Sequence, residues 1–271
     1  MAAASYDAYQ RGELRAFASG TGIGALGGLI GLGGAEFRLP VLVGMFRFGA
    51  LEAVIINKAM SLVVVLSALP FRTGTISVET LVANWPVIAN LLGGSLLGAW
   101  FGAAWATRLR SETLYRVIAL LLVGMAAILL LGHSVEGRER LLADGPALIV
   151  AGLVAGFGIG VAAALMGVAG GELLIPTLIL LFGVDVKLAG SLSLCVSLPT
   201  MIVGFARYSR DQTFAVLFRN GRFVMAMAVG SIVGSFIGAR LLGIVPTTIL
   251  LPLLAAILLA SAVKMWRHRR Y

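Results

Sequence analysis

The segment Gly31-Leu-Gly-Gly-Ala-Glu36-Phe-Arg-Leu-Pro40 returns later in the chain as Gly167-Val-Ala-Gly-Gly-Glu172-Leu-Leu-Ile-Pro176. The offset is 176 − 40 = 136 for the prolines and 172 − 36 = 136 for the glutamates, about half of the 271 residues. Each copy sets glycines, one carboxylate and a proline inside a long apolar run. Such runs cross membranes, where every backbone group must find a partner inside the protein. Helix breakers and charges are costly there and mark functional sites. A duplicated membrane unit with a broken helix in each copy is the pattern of a secondary transporter.

Composition sets the same class. The chain is 59% hydrophobic and 12% charged, with a mean hydropathy of +1.01. Windows of about 18 or more apolar residues follow one another, which specifies a polytopic helical membrane protein. Short alternating strands, the mark of a membrane β-barrel, are missing from the sequence. The net charge of +9 does not call for nucleic acid, because the basic residues cluster in short loops and at the ends, where they orient helices. Cys195 is the sole cysteine, and the two histidines, His133 and His268, lie at a loop edge and in the tail. No cofactor and no metal site is expected. The apolar run after residue 16 leads into the motif rather than to a small-residue cleavage site, so no cleavable signal peptide is read.

The duplication extends beyond the motif. Gly22/Gly158, Gly24/Gly160, Gly34/Gly170, Leu42/Leu178, Phe46/Phe182 and Ser61/Ser197 all match at the same offset. Gly94, Ser95, Gly98 and Gly102 likewise match Gly230, Ser231, Gly234 and Gly238. The expected organisation is an N-terminal cytoplasmic segment (1–16), a first membrane repeat (17–135), a connecting loop (136–145), a second repeat (146–265) and a basic cytoplasmic tail (266–271). Helical segments are expected near 17–34, 39–48, 52–71, 84–106 and 113–132. Their counterparts fall near 146–168, 173–183, 188–206, 223–243 and 246–265. The pieces after Pro40 and Pro176 are too short for an upright span. They are half-helices, re-entrant segments or tilted crossings.

Loop charges fix the relative sense of the halves. Arg11 and Arg15, then Arg108, Arg110 and Arg116, then Arg207, Arg210, Arg219 and Arg222, then the tail from Lys264, all belong on one side. The loop after the fourth helix is basic in the first half and bare in the second. The loop after the third helix shows the reverse. The halves therefore form inverted-topology repeats of five segments each, with both termini cytoplasmic and the protein multi-pass in the inner (plasma) membrane.

Candidate site residues follow from this frame. Gly33, Gly34, Glu36, Arg38 and Pro40, with Gly170, Gly171, Glu172 and Pro176, form the two breaks. Short helices starting at the prolines would turn their N-terminal amides, which favour anions, toward the breaks. Glu36 and Glu172 are proton-coupling candidates, partners for Arg38 or Lys58, or caps of the short helices. Lys58, beside Asn57 and one turn from Ser61, contacts ligand, snorkels to the interface or pairs with Glu36. Ser191, Ser193 and Ser197 are the uncharged second-half counterpart of this lining. The glycine rows read as helix-packing faces. Cys195 reads as a small filler, and Trp85, Trp100, Trp105 and Trp266 as interface or packing residues. A Ser61/Lys58 nucleophile pair has no supporting histidine or aspartate, so no enzyme is expected.

With Gly31-x-Gly33-Gly34-x-Glu36-x-x-x-Pro40, its repeat, Asn57 to Ser61 and the glycine rows in view, the chain resembles the TauE/SafE sulfite-exporter family over nearly its whole length. Ala169 stands where the first copy has Gly33, and Ala35 where many members have glycine. The resemblance implies an inner-membrane permease for small, often sulfur-containing anions such as sulfite, thiosulfate or sulfonates. It also implies export as a common direction and no enzymatic step. The expected mechanism is alternating access, one half rocking against the other; an anion channel and a proton-coupled uptake permease are the competing readings. Expected partners are a small anionic substrate and membrane lipid, with no nucleic acid. A homo-oligomer stays open.

Overall fold

The computed structural model describes residues 2–30, 34–72, 78–131, 145–241 and 247–267, and no strand occurs among them. The helices are α1 (Ala2–Ile30), α2 (Ala35–Gly44), α3 (Ala50–Arg72), α4 (Val78–Ala83), α5 (Trp85–Ala106) and α6 (Ser111–Leu131). The second half follows with α7 (Pro146–Met166), α8 (Gly171–Phe182), α9 (Val186–Tyr208), α10 (Val216–Arg219), α11 (Gly221–Leu241) and α12 (Thr247–Arg267). A 3-10 turn at Gln212–Ala215 precedes α10, and its start is capped by Asp211, whose Oδ1 accepts from the Thr213 amide at 2.8 Å. Shifted by one repeat, α4 falls on the end of this turn and on α10, so even the minor elements recur.

The protein is an all-helical membrane protein. Among the described residues, six helices (α3, α5, α6, α7, α9 and α11) are long and apolar enough to cross a bilayer. Their large apolar side chains face outward, as at Leu97, Phe101, Val154, Phe157 and Phe236. The glycines Gly94, Gly98, Gly102, Gly160 and Gly234 face inward.

Two boundaries differ from the sequence reading. The first helix begins at Ala2, not near residue 17, because the polar stretch is alanine-rich and helix-competent. Its charges mark where a helix leaves an apolar layer, not where it ends. The short helices also begin upstream of their prolines. Gly34 (φ 68) and Gly170 (φ 84) adopt the left-handed conformation immediately before α2 and α8. Glycine is the residue that enters this region without a Cβ penalty. Pro40 and Pro176 lie inside the helices and remove only the bond to the Glu36 and Glu172 carbonyls. Glycine sets the break, and proline modulates it. At 10 and 12 residues, α2 and α8 are about 15 and 18 Å long, well short of the roughly 30 Å hydrocarbon layer.

Packing is reciprocal across the repeat. The pairs α1–α11, α2–α12 and α3–α11 are matched by α7–α5, α8–α6 and α9–α5, one repeat apart. The contacts α3–α9 and α6–α12 join equivalent helices directly. This is a pseudo-two-fold arrangement, compatible with inverted repeats, in which the fourth helix of each half packs against the first helix of the other.

The glycine rows explain the closeness of those pairs. A Cβ at Gly94, Gly98 or Gly160 would strike backbone of the facing helix at Leu153, Phe157 or Ser95. One at Gly230, Gly234 or Gly24 would do the same at Phe17, Thr21 or Ser231. Small residues on both helices let the backbones touch, which is how membrane helices gain dispersion contact without a hydrophobic drive.

Candidate functional site

The break that ends α7 gathers carbonyls at one helix end, where those of Ala163 and Ala164 accept from the Val168 and Gly167 amides. Side chains from α3 and α9 bond to the same group of carbonyls. Lys58 Nζ donates to the Ala163 carbonyl at 3.2 Å and to the Val168 carbonyl at 2.9 Å. Tyr208 Oη donates to Ala164 O at 2.9 Å. Asn57 Nδ2 donates to Met166 O at 3.0 Å, and Ser61 Oγ to Gly167 O at 3.3 Å. Five carbonyls around one helix end are thus held by four side chains. Lys58 is fully buried, so it does not snorkel. Its ammonium caps the negative end of the α7 dipole.

Asn57 also donates from Nδ2 to Ala35 O at 2.9 Å, at the start of α2. One amide therefore bonds backbone at both breaks. Its Oδ1 accepts from Arg38 Nη1 at 3.1 Å.

Arg38 is the centre of the cluster. It projects from α2 and is fully buried. Nη1 also donates to Ser61 Oγ at 3.3 Å, and Nη2 to Ser231 Oγ on α11 at 3.4 Å. Neutral oxygens from both halves thus hold a guanidinium inside the bundle, and the Glu36 carboxylate acts on it electrostatically.

Glu36 and Glu172 lie in the first turns of α2 and α8. The N-cap positions of these helices, Gly34 and Gly170, carry no side-chain cap. The two glutamates are within hydrogen-bonding reach of each other. They are equivalent positions of the repeat, so their meeting places them near the axis that relates the halves. Glu36 is 1% exposed and Glu172 7% exposed. This contact between the breaks forms a seam between the repeats.

The second-half lining is less connected. Ser193 Oγ donates to Gly190 O at 2.8 Å within its own helix. Ser191 is half-buried. Ser197 is buried, and its Oγ has no partner among the described residues. The reason is an asymmetry of sequence: the counterpart of Arg38 is Leu174, so nothing reaches Ser197 as Arg38 reaches Ser61. Ser95, the counterpart of Ser231, meets Thr200 instead, with 2.7 Å between their hydroxyls. Gly171 opens α8 and is buried. Gly33 lies outside the described residues.

Ser95, Thr200, Tyr208 and Ser231 were not singled out from the sequence. Ser95 and Ser231 stood in the matched glycine rows as a conspicuous hydroxyl pair, and that recurrence was the available signal. Of the tryptophans, Trp85, Trp105 and Trp266 are exposed on the bundle surface. Trp100 carries the guanidinium groups of Arg207 and Arg210 at 5.7 and 5.0 Å from its ring centre.

The profile of the family described as Sulfite exporter TauE/SafE matches residues 16–265. The chain belongs to that family. No individual curated protein and no solved structure matches it. TauE/SafE membership makes the bundle that of a membrane transporter family for sulfite-type anions. The hydroxyl and ammonium of Ser61 and Lys58 are both directed at backbone carbonyls around the end of α7.

Proposed function

We propose that this TauE/SafE protein moves a small sulfur-containing oxyanion, of the sulfite, thiosulfate or sulfoacetate class, across the inner membrane by alternating access. The observation that carries this reading is Arg38, a fully buried guanidinium held by Asn57 and Ser61 of one half and Ser231 of the other. A guanidinium offers a planar fork of donors matched to an oxyanion, and hydroxyls and amides beside it complete a polar lining. Glycines that break the helices bring backbone close to the same point. Lys58 supports the site by capping α7 rather than by touching the anion.

Complete burial of Arg38 favours a carrier over a channel, since an anion reaches it only when the bundle opens. The moving bodies are not the two sequence halves. Exchange of α5 and α11 makes them α1, α2, α3 and α11 on one side and α5, α7, α8 and α9 on the other. Export is the favoured direction, because an anion leaving a negative interior moves down its electrical gradient and needs no coupling ion. The loop charges support cytoplasmic termini.

A thermal-shift screen of the purified protein tests this reading. Sulfite, thiosulfate or sulfoacetate should raise the unfolding temperature while chloride at equal ionic strength does not. Equal shifts with every anion would remove the specific site.

A further inference from the structure

We infer that Glu36 and Glu172 hold one proton between them, which makes the seam between the repeats a proton-binding site that empties when the seam opens. The two carboxyls come from different halves and lie within hydrogen-bonding reach of each other. Glu36 Oε2 and both carboxylate oxygens of Glu172 are buried with no hydrogen-bond donor from another residue facing them among the described residues. Two carboxylates have only acceptors, so a bond between them requires a proton on one. Without it, two like charges would face each other in a medium where neither is solvated.

The surroundings leave this role to the pair. Arg38 balances the single remaining negative charge. Lys58 on α3 is committed to Ala163 and Val168. Lys264 on α12 lies against Gly44, the opposite end of α2. Glu52, at the start of α3, accepts from the Gly49 amide and pairs with Arg219 at 3.9 Å. On α9 the mid-helix titratable group is Cys195, and α7 carries none. The titratable residues of α1 end at Arg15, about 20 Å along the helix from its last turn. No group of three or more acidic, histidine or cysteine side chains surrounds the pair among the described residues. A divalent ion takes six or more oxygen ligands, so the proton is the occupant that fits.

Opening the seam separates the carboxyls into water, where each ionises. Proton release then accompanies opening, and acid favours the closed state. This needs no assumption about the transported anion.

Infrared difference spectroscopy of the purified protein at neutral pH tests it, with thermal unfolding across pH as the second readout. Wild type should show a buried carboxylic-acid carbonyl band sensitive to deuterium exchange. Its folded-to-unfolded ratio should fall as pH rises, by up to about tenfold per pH unit for one retained proton. Glu36→Gln and Glu172→Gln each supply an amide donor in place of the proton. Both should fold, lose the band and flatten the slope. No carboxylic-acid band in wild type, or a band and slope unchanged in both variants, would overturn the inference.

Discussion

Lys58 Nζ lies 2.9 Å from the Val168 carbonyl, joining the middle of one repeat to the helix end of the other. A lysine in an apolar helix suggests a ligand for an anion, yet here its protons are directed at backbone. Lys58→Met should therefore lower stability, by about 1–3 kcal/mol, chiefly through the bond lost to Val168 O, since Ala163 O keeps the Val168 amide. Thermal unfolding in detergent measures this. The sulfite-induced shift should persist in the folded variant, and its selective loss at unchanged stability would show that Lys58 is a ligand.

Ser61 and Ser197 are equivalent positions with opposite expectations. Ser61→Ala removes a donor to Gly167 O and an acceptor from Arg38, and should cost about 1–3 kcal/mol. Ser197→Ala removes a buried hydroxyl that has no partner among the described residues, and should be neutral or stabilising. A large loss of stability at Ser197 would show that the repeats are more symmetric than Arg38 and Leu174 imply.

The glycines separate in the same way. Gly160→Ala would drive a methyl into the Ser95 backbone, and overpacking of that kind costs about 1–3 kcal/mol. Gly158, two residues away and matched just as well in the repeat, has open space within 4 Å of where a Cβ would stand. Gly158→Ala should gain about 0.5–1 kcal/mol. Paired unfolding curves in one detergent decide it, and equal effects would contradict the α5–α7 packing.

Asn57 bonds Ala35 O and Met166 O with one amide. Asn57→Leu should loosen both breaks at once. Hydrogen exchange should then rise at the start of α2 and the end of α7 together, whereas a rise at one break alone would deny the bridging role.

Much of this architecture was legible in the sequence because long apolar runs and a gap-free repeat leave few alternatives. The longer helices from α3 onward lie within a few residues of expectation, whereas the short α4 and α10 were not expected. Misjudged features were those in which two local preferences compete. Pro40 and Pro176 looked like helix starts, but left-handed Gly34 and Gly170 break the chain first. Partners of lone polar side chains were less legible still. The Lys58 acceptors are 105 and 110 residues distant in sequence, so three readings stayed open until the end of α7 was placed beside α3. Ser95 and Thr200 each also have a local helical acceptor within reach, Leu92 O and Val196 O, and one of the two hydroxyls donates to the other instead. Only packing reveals that they meet.

The most direct test is counterflow of labelled sulfite into proteoliposomes preloaded with unlabelled sulfite. Wild type should accumulate label well above protein-free vesicles, and Arg38→Met, reconstituted to the same level, should fall to the vesicle background. Accumulation by Arg38→Met equal to wild type would contradict the placement of the anion site at Arg38.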